Sequence, residues 1–197
     1  MSKPVIGFIG LGLMGGNMVE NLQNKGYDLN VMDLNKDAVD VCVTRGAKAM
    51  SSAKELAASS DIVMLCLTTS AIVEKVIYGE EGIISGIKEG SVLVDFGTSI
   101  PASTRKIGSD LAEIGVGMID APLGRTPAHA KDGLLNIMAS GDLETFNKVK
   151  SVLEDQGENV FHLGQLGAGH TTKLINNFMG MTTVCAMSQA FAVADRA

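Results

Sequence analysis

Val5-Ile-Gly-Phe-Ile-Gly-Leu-Gly-Leu-Met-Gly15 is the stretch on which the reading of this chain turns. Val5 to Ile9 has the continuous apolar character of a buried strand, and Gly10-x-Gly12-x-x-Gly15 follows at once. Asn17 to Lys25 then takes helical spacing through Met18 and Leu22 and stops at Gly26. Strand, glycine turn and helix, in that order, form the context in which this spacing carries chemistry. Gly10 permits a tight turn, Gly12 lets the backbone approach a pyrophosphate, and Gly15 allows the helix to pack close on the sheet. The free N–H groups and dipole of the helix N-terminus then favour phosphate charge. Gly10, Leu11, Gly12, Leu13, Met14 and Gly15 are accordingly assigned to cofactor binding. Asp33 closes the next strand, Leu29 to Asp33, about 20 residues on, where a carboxylate can bind both ribose hydroxyls. It would repel a 2′-phosphate, so NAD is expected in preference to NADP. The bland alternative, glycines that serve only a turn, leaves Asp33 unexplained.

Working outward, helices are expected at Lys36–Arg45 and Ala53–Ala58, with a third apolar strand at Ile62–Leu67. Further strands are read at Ser91–Asp95, Met118–Ala121, Leu134–Ala139 and Asn159–Leu163. Pro101 stands where a helix can start, and Leu143–Leu153 supplies another. Strands alternating with helices imply a Rossmann-type, doubly wound α/β sheet over residues 1–164. From 165 to 197 the pattern changes to one long helix, with Gly180 as its one interruption after Gly169. Leu174, Ile175, Phe178, Met181, Val184, Met187 and Phe191 surround much of that cylinder, which therefore needs cover on more than one side. The expectation is that the natural protein continues beyond residue 197 or that another chain covers this helix.

Composition bounds the partners. Hydrophobic residues make up 46% of the chain and aromatics 4%, with no Trp, so the core must be aliphatic. The formal net charge of -6 offers no basic stripe to nucleic acid. No stretch approaches the ~20 apolar residues of a membrane span, and the short run before Gly10 is no signal peptide. The three cysteines, Cys42, Cys66 and Cys185, are far apart and read as free thiols, which suits the cytoplasm. His129, His162 and His170 lack metal-ligand spacing, and no metal is expected. His162 reads as packed or half-exposed, His170 as a cap of the long helix, Lys36 and Arg45 as solvated charges, and the methionines mostly as core filler.

Three further segments extend the case. They are Asp95-Phe-Gly-Thr-Ser-Ile-Pro101, Asp120-Ala-Pro-Leu-Gly-Arg-Thr-Pro-Ala-His-Ala130 and Gly167-Ala-Gly-His-Thr-Thr-Lys-Leu-Ile-Asn-Asn177. With the glycine turn, they resemble in order and spacing the β-hydroxyacid dehydrogenase family, which includes 3-hydroxyisobutyrate dehydrogenase and relatives of 6-phosphogluconate dehydrogenase. The resemblance covers essentially the whole chain. It implies an NAD-dependent oxidoreductase, an all-helical C-terminal domain after the long helix that is not present in this chain, and a homo-oligomer.

The departure from that pattern lies in the substrate loop, where the family reads D-x-P-V-S-G-G and this chain has Leu123-Gly124-Arg125-Thr126. This form resembles the 3-sulfolactaldehyde reductase branch, in which the Arg binds a sulfonate. A guanidinium fork suits a sulfonate or a carboxylate equally. The resemblance makes Lys173 the catalytic acid/base. It assigns Gly124, Arg125, Thr126, Asn176 and Asn177 to the substrate and Thr98 to the nicotinamide side. Gly180, a further turn along the helix face, leaves room for a ligand, and Leu67 and Thr68, at the end of the third strand, are expected to line the adenosine side. Asn176 and Asn177 stand at i+3 and i+4 from Lys173, on its helix face. The expected activity is reduction of a small anionic aldehyde, 3-sulfolactaldehyde first. 3-Hydroxyisobutyrate or succinate-semialdehyde chemistry, and a non-catalytic NAD-binding module, are the alternatives.

Overall fold

The structure, a computed structural model, describes residues 3–197. The chain opens with β1 (Ile6–Ile9), α1 (Leu13–Asn24), β2 (Leu29–Met32), α2 (Lys36–Thr44), β3 (Lys48–Ala49) and α3 (Ala53–Ala58). There follow β4 (Ile62–Leu65), α4 (Ser70–Tyr78), β5 (Val92–Asp95), α5 (Pro101–Ala112) and β6 (Gly117–Asp120). These strands form one parallel sheet in the order β3-β2-β1-β4-β5-β6. The chain builds outward from β1 to β3, then returns to lay β4 on the other side of β1. The order reverses between β1 and β4, and ligands of such sheets bind in the crevice beyond the carboxyl ends of the strands at that point.

The apolar runs that mark the strands are explained by burial on both faces. Ile6, Phe8, Ile62, Met64, Val92 and Val94 enter one core cluster, with Met18, Leu22, Val149 and Leu153 from helices. Their alternates Ile9, Val63, Leu65 and Leu93 enter a second cluster with Leu56, Ile77, Ile107 and Leu111. Successive side chains point to opposite faces, and both faces are covered by helices, so no polar alternation is left to see. Local chemistry sets the helix starts: Asn35, Ser52, Thr69 and Asp142 each accept a backbone N–H from the first turn, and Pro101 opens α5.

The expected single alternation breaks after β6. After Pro122 the chain runs through β7 (Leu123–Gly124), α6 (Pro127–Lys131), β8 (Leu135–Ala139), α7 (Leu143–Gln156) and β9 (Gly157–His162). β7 runs antiparallel to β8, and β8 parallel to β9, in a separate three-stranded sheet. Asp120 and Ser140 join the two sheets through paired backbone hydrogen bonds of 3.1 and 2.7 Å. Arg45, expected to be solvated, is exposed and also pairs with Glu20 at 3.1 Å.

α8 (Ala168–Arg196) is a single helix of 29 residues. Only Gly169 and His170 of it are buried; Phe178, Met181, Val184 and Phe191 are exposed. Among the described residues no helix is long and apolar enough to cross a membrane.

Candidate active site

The glycine turn is imposed from within the fold at two positions and left open at the third. Gly10 has φ +99°, and a Cβ there would lie 2.4 Å from the carbonyl oxygen of Cys66. A Cβ on Gly15 would lie 1.8 Å from the carbonyl oxygen of Gly10. A Cβ on Gly12 would meet nothing within 4 Å. Its missing side chain serves no internal packing and keeps clear the space above the first turn of α1. No side chain caps that turn, so its N–H groups and the positive end of the helix dipole are available to an anion. Asp33 clamps the loop from beneath: Oδ2 accepts from the N–H of Leu11 at 2.6 Å and Oδ1 from that of Asn35 at 2.8 Å. Each carboxylate oxygen has a second lone pair for a ribose hydroxyl. These features fit a dinucleotide.

A cavity of about 490 Å³ lies over this turn, lined by Gly12–Gly15, Cys66–Thr68, Phe96–Thr98, Leu123, Arg125 and Lys173. Apart from Lys173, each lining residue follows closely on the carboxyl end of β1, β4, β5 or β6. Of the residues expected from sequence, Gly12, Leu13, Met14, Gly15, Leu67, Thr68, Thr98, Arg125 and Lys173 line it together. Gly10, Leu11 and Asp33 support the loop from behind. Gly124 instead packs against Asn136, 3.2 Å from where its Cβ would be. The Thr126 hydroxyl is engaged with Nδ1 of His129 at 2.7 Å. Asn176, Asn177 and Gly180 lie further along α8, exposed and outside the cavity lining.

Cys66, Phe96, Gly97 and Leu123 line the cavity without having been expected. Their signal was position: Cys66 stands at the end of the expected strand Ile62–Leu67, and Phe96, Gly97 and Leu123 just beyond strands already identified. Phe96 stacks on Phe8 with ring centroids 6.4 Å apart. Burial, reinforced by the charge of Asp95, pushes the Cys66 thiol up to about 11, so it is a neutral wall and not a nucleophile.

Two side chains bring charge to this cavity. Lys173 is half-buried, and burial alone lowers its amine from the ordinary value of 10.5. Arg125 stands at φ +79°, the one described non-glycine residue in the left-handed region. Its Nη1 donates to the carbonyl of Leu134 at 2.7 Å and pairs with Glu158 Oε2 at 2.5 Å. A guanidinium has five N–H donors, so Nη2 and Nε remain for a ligand.

Beneath the cavity lies a buried polar network. Asp95 and Asp120 end adjacent strands in register and are 1% and 0% exposed. Asp95 accepts from the Gly97 N–H at 2.8 Å and from the Ser99 hydroxyl at 2.7 Å. Asp120 accepts from the Ser140 hydroxyl and from the N–H groups of Gly167 at 2.8 Å and His170 at 2.7 Å. The N–H of Gly169 goes to the Ser140 hydroxyl at 2.8 Å. Asp120 and Ser140 therefore cap α8, correcting the expectation that His170 would. The His170 ring is instead wholly buried, its Nδ1 2.8 Å from the Thr104 hydroxyl and its Nε2 without a hydrogen-bond partner. Among the described residues, no group of three His, Cys, Asp or Glu side chains is arranged to hold a metal ion.

A doubly wound sheet, a glycine turn shaped for a pyrophosphate and a carboxylate at the second strand define a dinucleotide-binding domain of the Rossmann type. Residues 5–164 match the family described as the NAD binding domain of 6-phosphogluconate dehydrogenase, and the chain belongs to that family, within the β-hydroxyacid dehydrogenases. It is 36% identical over 96% of its length to a probable mitochondrial 3-hydroxyisobutyrate dehydrogenase of Dictyostelium discoideum, covering 59% of that protein. It is 38% identical over 95% of its length to an NAD-dependent L-serine dehydrogenase of Pseudomonas aeruginosa, covering 63% of it. A 3-sulfolactaldehyde reductase of Escherichia coli is 32% identical over 96% of the chain, which covers 64% of it. The structure of Mycobacterium tuberculosis 3-hydroxyisobutyrate dehydrogenase with L-serine superposes with a TM-score of 0.92 at 26% identity, over 99% of this chain and 66% of that one. The chain thus spans roughly three-fifths of the length of the curated relatives it matches.

Proposed function

We propose that this chain is the nucleotide-binding part of an NAD(H)-dependent oxidoreductase that interconverts a small anionic aldehyde and its hydroxy acid. One observation carries the reading: Arg125 and Lys173 line the same cavity as the open face of Gly12 and the strand-end Thr98. NADH, when bound, supplies the hydride. The glycine turn and the first turn of α1 hold its pyrophosphate, Asp33 its ribose, and Thr98 borders the nicotinamide side. Nη2 and Nε of Arg125 take the anion of the substrate in a charge-assisted fork. The Lys173 ammonium gives its proton to the carbonyl oxygen as that oxygen gains charge, and the lowered amine gives up the proton more readily than an exposed lysine would. Cys66, Phe96 and Leu123 form apolar wall, which strengthens both charged contacts. Asn176 and Asn177, one turn beyond Lys173, orient the substrate once it is seated, and Gly180 leaves room for it. Gly124 and Thr126 shape the loop that presents Arg125. The apolar residues of α8 take their cover from a helical domain and from a second subunit of a homo-oligomer.

3-Sulfolactaldehyde is the favoured substrate, because a guanidinium replaces the Ser-Gly-Gly loop that receives a carboxylate in most of the family. A carboxylate-bearing substrate is the second reading, favoured by the higher identity to the hydroxyisobutyrate and serine dehydrogenases. NADH oxidation with 3-sulfolactaldehyde, methylmalonate semialdehyde and succinate semialdehyde, repeated on Arg125→Ser, separates them. Preference for the sulfonate that disappears in Arg125→Ser supports the first reading. A carboxylate preference indifferent to that change removes Arg125 from substrate binding.

A further inference from the structure

Asp95 and Asp120 present a problem that the binding of cofactor and substrate does not answer. Two carboxylates at neighbouring strand ends, both out of solvent, repel one another and are each costly to ionise. Burial accordingly pushes the Asp95 carboxyl above its ordinary range, with His170, Ser99 and Gly97 opposing the rise and Asp120 adding to it. The His170 ring is the group that stands between them: Nε2 is 3.7 Å from Asp95 Oδ2 and Nδ1 is 3.8 Å from Asp120 Oδ2. Arg105 and Lys173 also bring charge to this end of α8; Arg105 Nη1 lies 2.8 Å from where a Cβ of Gly167 would stand.

The hydrogen-bond directions constrain the ring. If the Thr104 hydroxyl donates to the carbonyl of Ile100, at 3.3 Å, then Nδ1–H donates to Thr104. If Thr104 instead donates to Nδ1, the ring hydrogen must sit on Nε2. In the first case a neutral ring would set a bare Nε2 lone pair 3.7 Å from a carboxylate oxygen of Asp95, an unfavourable pairing; in the second the hydrogen is already on Nε2. A proton in the gap between Nε2 and Asp95 removes that conflict.

The network also has a direction in the fold. Asp95 holds the N–H of Gly97, next to Thr98 in the cavity wall. Asp120 holds the N–H of His170, one turn before Lys173. His170 bonds Asp120 through its backbone N–H and sets its ring beside Asp95, between the loop that carries Thr98 and the helix that carries Lys173. We propose that His170 is a positioning residue for Lys173, carrying a hydrogen on Nε2 toward Asp95 and keying helix α8 to the β5–α5 loop. This rests on the role of Lys173 proposed above.

The test has two parts. In the full-length protein, long-range 15N–1H NMR of the His170 ring reads the nitrogens directly, with or without cofactor. A hydrogen on Nε2 is expected; a bare Nε2 overturns the proposal. The second part compares His170→Gln, whose amide can still donate toward Asp95, with His170→Leu. His170→Leu should lower kcat by on the order of 10²-fold, as misplacement of a reacting group does, with KM for NADH within twofold. His170→Gln should recover most of that loss. Equal kcat in Gln and Leu, or a loss in both that follows the fall in Tm, makes the role purely structural and overturns the proposal. Lys173→Ala keeps the outcomes apart. If it retains turnover, the reading of Lys173 fails, while the NMR result still reports on the Asp95–His170 link.

Discussion

Along the Gly10–Gly15 turn every requirement is steric: two glycines are enforced by backbone atoms of the protein itself, and the third keeps a space empty. Across the cavity the requirements are chemical. Lys173 and Arg125 bring an amine and a guanidinium from segments distant in sequence, one on a helix and one on a turn at φ +79°. A wall defined by what must be absent fails through shape, losing stability where the protein's own atoms fill the space and cofactor affinity where they do not. A wall defined by side-chain charge fails through turnover and substrate affinity while the fold survives. Substitutions on the two sides should therefore separate cleanly in their readouts.

The largest effect is expected on the charged side. Lys173→Ala should reduce turnover of every substrate by about 10²–10⁴-fold, the usual contribution of a positioned proton donor, while NADH affinity by fluorescence titration stays within twofold. The pH dependence follows from the direction of the shift. Burial disfavours the charged amine, so its titration lies below 10.5. Reduction needs the protonated form and should decline as pH rises through that titration; oxidation of the hydroxy acid should rise over the same range. An unchanged alkaline limb in Lys173→Ala would assign the proton to another group.

The steric side gives the next effect, and its two glycines should behave differently. Gly15→Ala places a methyl 1.8 Å from a backbone oxygen. It should cost about 3 kcal/mol or more in chemical denaturation, at or beyond the upper end of ordinary overpacking. Gly12→Ala meets nothing in the protein, so Tm should hold while the NADH dissociation constant rises by roughly tenfold, about 1.4 kcal/mol. Equal losses of stability in the two variants would mean that Gly12 serves the turn and not the ligand.

The same contrast explains what could be read from the sequence. The glycine wall is local: strand, turn and helix lie within residues 5–25, and both the periodicity and the glycine spacing survive in one dimension. Asp33 follows at a distance set by one βαβ unit. The charged wall is not local, and no spacing joins Arg125 to Lys173; resemblance to a family, not periodicity, picked them out. β3 and β7 have two residues each, too short to show a period. The antiparallel pairing of β7 with β8 depends on a partner strand beyond α6. α4 was passed over although Val73 and Ile77, a turn apart, are its buried face. The Asp95–Asp120–His170 network could not be seen, because strand register alone brings its members together.

Arg125 itself offers a sharper version of the comparison, being a charged residue on a backbone that suits glycine. Arg125→Gly and Arg125→Ala should both raise KM for an anionic aldehyde by about tenfold, the scale of one lost charge-assisted contact. They should differ in stability, with Gly the more stable by roughly 1 kcal/mol, since only Ala retains the left-handed penalty. Equal stabilities would show that the loop relaxes once the guanidinium is gone, making the Leu134 and Glu158 contacts the cause of the φ +79° conformation.

The smallest effect is expected from Glu158→Gln. The Arg125–Glu158 pair has side chains 29% and 51% exposed, so it contributes about 0–1 kcal/mol to stability and its loss should barely move Tm. Its consequence lies in the competition for Arg125. A carboxylate beside the guanidinium offsets the charge that an anionic substrate would meet, and amidation should lower KM for that substrate by about two- to fivefold with kcat unchanged, a few tenths of a kcal/mol to 1 kcal/mol. Because the pair is partly in solvent, the gain should shrink as ionic strength rises and the Debye length falls below about 10 Å. A rise in KM would instead show that Glu158 holds the guanidinium in its binding pose, so that the chemical wall, like the glycine wall, depends on support from behind.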